Sequence, residues 1–393
     1  MTVDHAAVRG TVRVRPRPVA TDGATVSVVV PCYNYGRFLA EAVGSALDQT
    51  GVLVDVVVVD DASTDDSRAV AARLAAADPR VTVVAHQVNR GPVDTFNDGL
   101  ARASGEFLVR LDADDLLTPG SLARSVAVAR AYPSVGLVYG HPLHFTDARR
   151  PARSRVRRWT VWPGRQWLRD RCTDGCNVIT SPEVLMRTSV VTRVGGQRPL
   201  AHTHDMEMWL RLAAFADVAY VAGADQAWHR DHPASMSARE VDDATDFRER
   251  VAAFDELAAG VAGDLPEMPA LRAAAHRALV RQALRACRYE VARGRRDPER
   301  VRVLRARALA LEPRLAASAR WRRLDAALGT APGPVGRALG LVRASAVRVE
   351  DVRRAHRWTR TGTYTRDGRP AGPGTRDGAG DVAAPAGRRW ITS

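Results

Sequence analysis

The chain has 393 residues, 46% of them hydrophobic, which is enough for a sizeable core and more than one domain. All 58 basic residues are arginines, and the net charge of +14 favours anionic partners such as nucleotide phosphates, nucleic acid or an anionic membrane face. The four scattered cysteines do not form a disulfide framework, and no apolar run suits a membrane span or a signal peptide. We therefore expect a cytoplasmic protein with free thiols, able to work at the inner face of the membrane.

The first part of the chain alternates strand and helix signals after a polar, basic stretch, residues 1–24, which predicts a loose tail. The predicted elements are strand Val26–Val30 ended by Pro31, a helix at about Phe38–Asp48, strand Val54–Val59, helix Ser67–Ala77 capped by Ser63 or Asp65, strand Val81–Ala85 and a helix at about Val93–Ala103. Such alternation predicts an α/β fold, a mostly parallel sheet sandwiched by helices.

The next strand signal, Phe107–Leu111, ends abruptly in three carboxylates, Asp112, Asp114 and Asp115. Like charges this close repel one another unless a cation lies among them. Mg²⁺ and Mn²⁺ prefer hard oxygen ligands and are natural candidates for that cation. A solvated turn at a strand end is the alternative that needs no metal.

Two other polar clusters, Asp60–Asp61 and Asn89–Gly91, also follow strand ends. Ligands of parallel sheets bind outside the carboxyl ends of the strands, so all three clusters should meet at one edge. The first strand is not followed by Gly-x-Gly-x-x-Gly, and the chain has no Gly-Lys-Ser/Thr motif. These features argue against a dinucleotide dehydrogenase and a P-loop enzyme.

Short motifs occur in a fixed order along residues 25–240. The first group comprises Pro31-x-Tyr33-Asn34, Ser45 with Gln49-Thr50, Asp60-Asp61-x-Ser63-x-Asp65, Asn89-x-Gly91, Gly105-Glu106 and Leu111-Asp112-x-Asp114-Asp115. The second comprises Ser181-Pro182, Met186-Arg187, Gly195-Gly196, His204-Asp205 with Trp209 and Arg211, and Arg230-Asp231-His232 with Ser235 and Ser237. The ordered set resembles family 2 glycosyltransferases of the GT-A fold, except that His204 replaces the usual Glu.

The resemblance implies a GT-A domain over residues 25–245 that binds a nucleotide-diphospho-sugar, and the frequency of donors in the family favours a UDP- or dTDP-sugar. It also implies a Mg²⁺ or Mn²⁺ cofactor. It assigns Pro31 and Tyr33 to the base pocket, Asp61 to a hydrogen bond with the base, Arg90 to the base or phosphates, Asp112 to the ribose with Ala113 beside it in the donor site, and Asp114 to the metal.

Asp205 is the candidate general base for an inverting transfer, in which one carboxylate takes the acceptor proton. The alternative is that Asp205 only caps a helix over Met206–Ala214. Glu207 is the other acid on that helix and the next candidate.

His232 is the candidate second metal ligand, in competition with His229, His202 and His204. Four tryptophans could stack on a sugar or pack in the core: Trp162, Trp167, Trp209 and Trp228. For Trp209, which lies on an amphipathic helix, core packing is the default expectation.

Beyond residue 245 the resemblance ends. Residues 246–350 are rich in Ala, Leu and Arg, and helical periodicity at about 267–292 and 298–316 predicts a helical C-terminal extension. It would pack on the catalytic domain or a second subunit, and its basic faces would either be solvated or touch an anionic membrane. Residues 351–393 have the composition of a disordered tail, so truncation after Ala355 should spare donor binding.

The sequence thus predicts a metal-dependent inverting glycosyltransferase with a carbohydrate, lipid-linked or small-molecule acceptor. Its pathway would make cell-surface polysaccharide, glycolipid or a secondary metabolite. A sugar-phosphate nucleotidyltransferase is one alternative, but it needs a Gly-rich basic loop where residues 31–35 stand. The other is a non-catalytic protein that binds nucleic acid or anionic surfaces through its Arg-rich C-terminal half. It would have no use for the ordered carboxylates, and we expect no nucleic-acid partner.

Overall fold

The computed structural model describes residues 7–232, 242–292, 297–329 and 352–364, with positions 345, 349 and 350. Its strands are β1 (Val12–Val14), β2 (Thr25–Cys32), β3 (Leu53–Asp60), β4 (Val81–Ala85), β5 (Phe107–Arg110), β6 (Leu116–Leu117), β7 (Val135–Phe145), β8 (Arg158–Trp162), β9 (Leu185–Arg187) and β10 (Asp217–Arg230). They form one sheet in the order β1-β8-β10-β7-β9-β5-β2-β3-β4, with β6 paired to β10.

Helices cover this sheet and continue beyond it. They are α1 (Gly36–Leu47), α2 (Ser67–Ala77), α3 (Gly91–Leu100), α4 (Ser121–Ala131), α5 (Gly164–Asp174), α6 (Thr188–Val194), α7 (His204–Phe215), α8 (Asp243–Ala259), α9 (Met268–Ala292), α10 (Pro298–Leu311) and α11 (Ala319–Gly329). Short 3-10 turns lie at Ser181–Glu183 and Pro313–Ala317. The prediction of a mostly parallel, helix-covered sheet with a helical C-terminal extension is confirmed.

Strands β2, β3, β4 and β5 are parallel, and β2 and β3 contain valine runs that are buried on both faces. The expectation that Pro31 ends the first strand is wrong, because Pro31 pairs with Val59 inside β2. On the other side, the pairing of β2 with β5 stops at Val29 and Arg110. Pro31 therefore lies beyond the last ladder pair on that side, a position where a strand tolerates proline.

The other half of the sheet is mixed. Strands β7 and β10 are parallel, while β8 and β9 run antiparallel to their neighbours. Strand β1 pairs antiparallel with β8, from Val12 opposite Val161 to Val14 opposite Trp159. The prediction of a loose tail over residues 1–24 is therefore wrong for β1. Three residues are too short a signal to read from composition alone.

The C-terminal helices share a core with the sheet domain. Phe254, Leu279 and Leu304, from α8, α9 and α10, belong to the same buried apolar cluster as Leu168 and Trp209. Helices α9 and α10 lie close to the predicted helical stretches. Among the described helices, none is both long and apolar enough to cross a bilayer. The four cysteines are free thiols, as expected.

The predicted disordered tail contains an ordered segment. Residues 352–361 are helical, and Trp358 is buried, its indole N–H donating to the Val178 carbonyl at 2.8 Å. The Tyr139 hydroxyl donates to the Gly362 carbonyl at 2.6 Å, and the Tyr220 hydroxyl to that of Thr359 at 3.0 Å. The prediction of disorder is wrong for residues 352–364. The remainder of the predicted tail lies outside the described residues.

We expect truncation after Ala355 to lower the free energy of unfolding by at least about 3–5 kcal/mol, the usual cost of removing a buried Trp. Urea unfolding would measure the loss. Truncation after Tyr364 is the matched control, because it keeps the packed segment. Equal stability of the two truncated proteins would contradict a structural role for residues 356–364.

Candidate active site

The polar clusters predicted at strand ends do meet at one edge of the sheet. The Asp61 carboxylate, just after β3, accepts hydrogen bonds from the backbone N–H groups of Arg90 at 2.8 Å and Gly91 at 2.9 Å. His86 Nδ1 lies 2.7 Å from the same carboxylate, which is buried. Asp61 thus holds the Asn89–Gly91 turn in place. A hydrogen bond from a nucleobase to Asp61 stays a prediction. It would use the carboxylate lone pairs that these three partners leave unoccupied.

The other residues predicted for the base side lie at the end of β2 and within this turn. Pro31 is in the last part of β2, and Tyr33, directly after the strand, is 44% exposed. The Arg90 guanidinium is partly exposed and forms ion pairs with Asp98 and Asp94 of α3. An exposed ring and an exposed guanidinium are both available to a flat base or a phosphate.

Asp112 is paired with an arginine that motif reading did not single out. Arg110 Nη2 lies 2.7 Å from Asp112 Oδ1. Burial and the neighbouring Asp114 raise the pKa of Asp112, while Arg110 lowers it. Arg110 is itself buried, and among the described residues its Nε and Nη1 find no acceptor. Ala113, which follows Asp112 in the chain, is also buried. Unsatisfied guanidinium donors are costly to bury, so this position favours an anionic ligand.

Asp114 and His232 come together as predicted for a metal pair. Asp114 Oδ2 lies 2.8 Å from His232 Nε2, and both side chains are largely buried. The His232 ring packs against the rings of Tyr35 and Phe38, which fixes its position. Among the described residues, His232 Nδ1 is buried without a hydrogen-bond partner. A carboxylate, an imidazole and nearby acids fit Mg²⁺ or Mn²⁺, which use few protein ligands and complete their shell with water and phosphate.

Asp115 and His229 form a separate buried pair. Asp115 Oδ2 lies 3.0 Å from His229 Nδ1, and Asp115 Oδ1 accepts from the backbone N–H of Arg230 at 2.8 Å. Burial raises the pKa of Asp115 to about 6 despite the charge of His229. Burial lowers the pKa of His229, but Asp115 and the acids nearby outweigh it and raise that pKa to about 10. Both members of the pair are therefore charged at neutral pH. His229 is paired with Asp115 and not with Asp114.

Asp205 lies inside α7, as its second residue, and not at the helix cap. Thr203 occupies the N-cap position, so the interpretation of Asp205 as N-cap is wrong. The Asp205 carboxylate accepts from the Ser181 hydroxyl at 3.0 Å and from the backbone N–H of Met206 at 2.5 Å. Burial raises the pKa of Asp205 to about 7, although Arg110 and both hydrogen bonds oppose the shift. A carboxylate with this pKa suits a general base at neutral pH.

Glu207, the fallback base, has a structural role. It is buried and forms an ion pair with Arg211, with Arg211 Nη2 2.8 Å from Glu207 Oε2. Arg211 also donates to the carbonyls of Val194, Gly195 and Gly196. The pair anchors this loop to α7, which leaves Asp205 as the acid of the helix that is not held by an arginine ion pair.

The competing histidines and the tryptophans occupy other positions. His204, which departs from the family pattern, is buried, and burial lowers its pKa to about 3, so it is neutral. The backbone N–H of His202 donates to Glu249, in α8. Three tryptophans lie in the core: Trp162, Trp167 and Trp209. Trp228 is half-buried, with the Arg149 guanidinium over its ring.

Sequence reasoning missed the partners that orient these groups. Ser181 stood in a quoted motif without a role, and it now holds Asp205. Arg110 is the one charged residue in an otherwise apolar predicted strand. A charged side chain in a fully buried strand is unusual, and this is the signal that could have singled it out. The assignment of Ser181 depends on the Ser181–Glu183 turn and α7 meeting in space.

Residues 27–193 match the family model "Glycosyl transferase family 2". This segment is a family 2 glycosyltransferase domain. The match takes in Asp61, Arg90, Asp112 and Asp114, and it ends before Asp205 and His232. The resemblance found in the motifs is therefore confirmed for residues 27–193.

Relatives of the family 2 domain include the succinoglycan biosynthesis protein ExoO of Rhizobium meliloti, 43% identical over 27% of this chain and 30% of the relative. Another is a GalNAc(5)-diNAcBac-PP-undecaprenol beta-1,3-glucosyltransferase of Campylobacter jejuni, 35% identical over 30% of this chain and 38% of the relative. The matched part spans about a third of the length of the first such relatives.

The fold extends further than these matches. The mannosyltransferase PcManGT from Pyrobaculum calidifontis, solved with GDP-Man and Mn²⁺, superposes with a TM-score of 0.50 at 21% identity, over 85% of this chain and 89% of that one. At this identity the likeness concerns the fold alone. The family 2 domain has the GT-A fold.

Proposed function

We propose that this protein transfers a sugar from a nucleotide-diphospho-sugar to an acceptor hydroxyl, with inversion at the anomeric carbon. The observation that carries the proposal is the meeting of two unlike sets of groups at one sheet edge. One set is the Asp114–His232 pair with Arg110 and Asp112. The other is the lone carboxylate of Asp205, with its raised pKa.

The first set suits a diphosphate. Arg110 offers buried guanidinium donors that lack acceptors among the described residues, and phosphate oxygens match such donors. Asp114 and His232 would hold Mg²⁺ or Mn²⁺, which when bound neutralises the leaving diphosphate. PcManGT was solved with ligands of this class, GDP-Man and Mn²⁺. Tyr33, Asp61 and Arg90 would then contact the base and phosphates.

Asp205 performs the proton transfer in this proposal. Its carboxylate accepts the proton of the acceptor hydroxyl while that oxygen forms a bond to the anomeric carbon. The bond from the anomeric carbon to the diphosphate oxygen breaks on the opposite face, and its electron pair leaves with the diphosphate. Ser181 holds the carboxylate during this step. A single base without a second nucleophile fits inversion, and a positioned base contributes roughly 10²–10⁴-fold.

The acceptor is proposed as a hydroxyl of a growing polysaccharide or lipid-linked glycan. Two relatives support this class: one is named for succinoglycan biosynthesis and one for glucosyl transfer onto an undecaprenol-linked glycan. Work at the cytoplasmic face of a membrane would bring the chain to such an acceptor, and its net charge of +14 suits an anionic surface.

A thermal-shift panel tests the donor class. We expect one of UDP, GDP, dTDP and CDP to stabilise the full chain more with Mn²⁺ than without it. A nucleotide at 100 times its dissociation constant adds about 2.7 kcal/mol. AMP with Mn²⁺ is the control for non-specific phosphate binding. Failure of every sugar-carrier nucleotide to exceed AMP would contradict the proposal.

A further inference from the structure

Two histidines and an aspartate, residue types that can ligate a metal, meet at the ends of two neighbouring strands. His144 of β7 lies opposite His229 of β10 in the parallel register, and Asp231 follows two residues after His229. Residues two apart on an extended strand point to the same face. His144 Nδ1 lies 3.2 Å from Asp231 Oδ1, and His229 Nε2 lies 3.9 Å from the same oxygen. One ligand atom from each residue lies within 4.8 Å of the other two.

His229 is oriented as metal-bound histidines usually are. Its Nδ1 lies 3.0 Å from Asp115 Oδ2, so its Nε2 is directed to the side of Asp231. Metal-ligating histidines commonly donate their second ring N–H to a carboxylate in this manner. Asp115 is itself fixed by the backbone N–H of Arg230. The support that a metal ligand needs is thus already built for His229.

We propose that His144, His229 and Asp231 form a second metal site, which binds one Zn²⁺ or a similar transition-metal ion. Two imidazoles and a carboxylate suit this class, because zinc in proteins is commonly held by histidine nitrogens together with a carboxylate oxygen. The site uses neither Asp114 nor His232, and it needs no nucleotide. It is therefore independent of the proposed donor site, although Asp115 adjoins both.

The geometry requires only a small closure. Ligand atoms of a tetrahedral zinc site lie about 3.4 Å apart, given zinc–nitrogen distances of about 2.0–2.1 Å. The side chains of His144 and Asp231 are 35% and 39% exposed, so they can rotate toward His229. A bound ion would join the ends of β7 and β10 beside the Asp115–His229 pair and would stabilise that part of the edge. Binding would displace the Nε2 proton of His229, while its Nδ1–H stays on Asp115. Water would fill the remaining coordination positions.

Zinc binding to the metal-free full chain tests the proposal without any measurement of transfer. We expect equilibrium dialysis to find one tightly bound Zn²⁺ at this site, together with a rise in the thermal midpoint. His144→Asn and Asp231→Asn should each weaken zinc binding at least about 100-fold, because even outer-shell partners contribute 10–100-fold. Both substitutions keep a polar side chain at a partly exposed position, so the fold should persist.

Two matched variants locate the ion. Asp114→Asn should retain the zinc, since it alters only the other site. His141→Asn should also retain it, because His141, on the same strand, pairs with Asp225 instead. If His144→Asn and Asp231→Asn bind zinc as tightly as the unmodified chain, the proposal is overturned. Loss of the zinc in Asp114→Asn alone would overturn it as well, because the ion would then occupy the donor site.

Discussion

Asp205→Asn is expected to bind nucleotide normally and to lose at least about 100-fold in turnover. The amide keeps the size of the carboxylate and can still accept from Ser181 and the backbone of Met206. It cannot take the acceptor proton. Steady-state kinetics with saturating donor would measure the loss, and nucleotide affinity would be measured by calorimetry.

Asp217→Asn is the matched control for this change. Asp217 is an equally buried carboxylate. It lies at the start of β10, at the far end of that strand from His229, and accepts hydrogen bonds from Ser134 and Gly164. Its amide variant should keep its turnover even if its stability falls. Near-normal turnover in Asp205→Asn, or a product with retained anomeric configuration, would show that the base assignment is wrong.

The pH profile offers a second measurement on the same group. Burial raises the pKa of Asp205 to about 7, so the carboxylate is increasingly protonated as the pH falls below that value. The base form is lost on that side, and kcat/KM should fall by about tenfold for each pH unit there. Asp205→Asn should lack this limb of the profile.

Asp114→Ala is expected to abolish the Mn²⁺-dependent part of nucleotide binding and to leave the protein folded. The substitution removes the carboxylate that meets His232 at 2.8 Å. Outer-shell partners alone change metal affinity by 10–100-fold, so losing a ligand should cost more than about 100-fold. Calorimetric titration of the nucleotide with and without Mn²⁺ would measure the effect.

Asp78→Ala is a suitable control, because Asp78 pairs with Arg80 at the start of β4, on the opposite edge of the sheet. It should keep full metal dependence. Transfer activity that persists undiminished in EDTA would rule out a catalytic role for the ion at Asp114, whatever the variant binds.

Much of the fold is predictable because the strands are locally unambiguous. The valine runs of β2 and β3 are buried on both faces, and a polar cluster follows β3. The sequence therefore predicts both the strands and the edge at which the polar groups lie. The rest depends on distant partners. Strand β1 has three residues and exists through its pairing with β8. Trp358 lies in a stretch whose average composition predicts disorder, yet one large side chain finds a buried position.

The candidate site is divided in the same way. Strand-end acids predict where a cation belongs, and the motif order predicts Asp114 with His232. Arg110 and Asp112 are two residues apart, so their contact is local, but nothing local predicts that Ser181 holds Asp205. That pair depends on how the Ser181–Glu183 turn packs against α7. Candidates for ligand binding can be predicted from chemistry and spacing, whereas a distant residue that orients one of them, such as Ser181, emerges only with tertiary structure.

The packed segment at residues 352–364 sets an order of events during synthesis. The hydroxyl of Tyr220 cannot form its hydrogen bond until Thr359 has been synthesised, 139 residues later. The hydroxyl of Tyr139 likewise lacks its acceptor until Gly362 has been synthesised, 223 residues later. At roughly 5–20 residues per second, the first interval alone lasts about 7–28 s. During that time the aromatic residues of the nascent domain that this segment contacts stay uncovered. Chaperone engagement should therefore peak late in translation, after the sheet is made and before Trp358 leaves the ribosome.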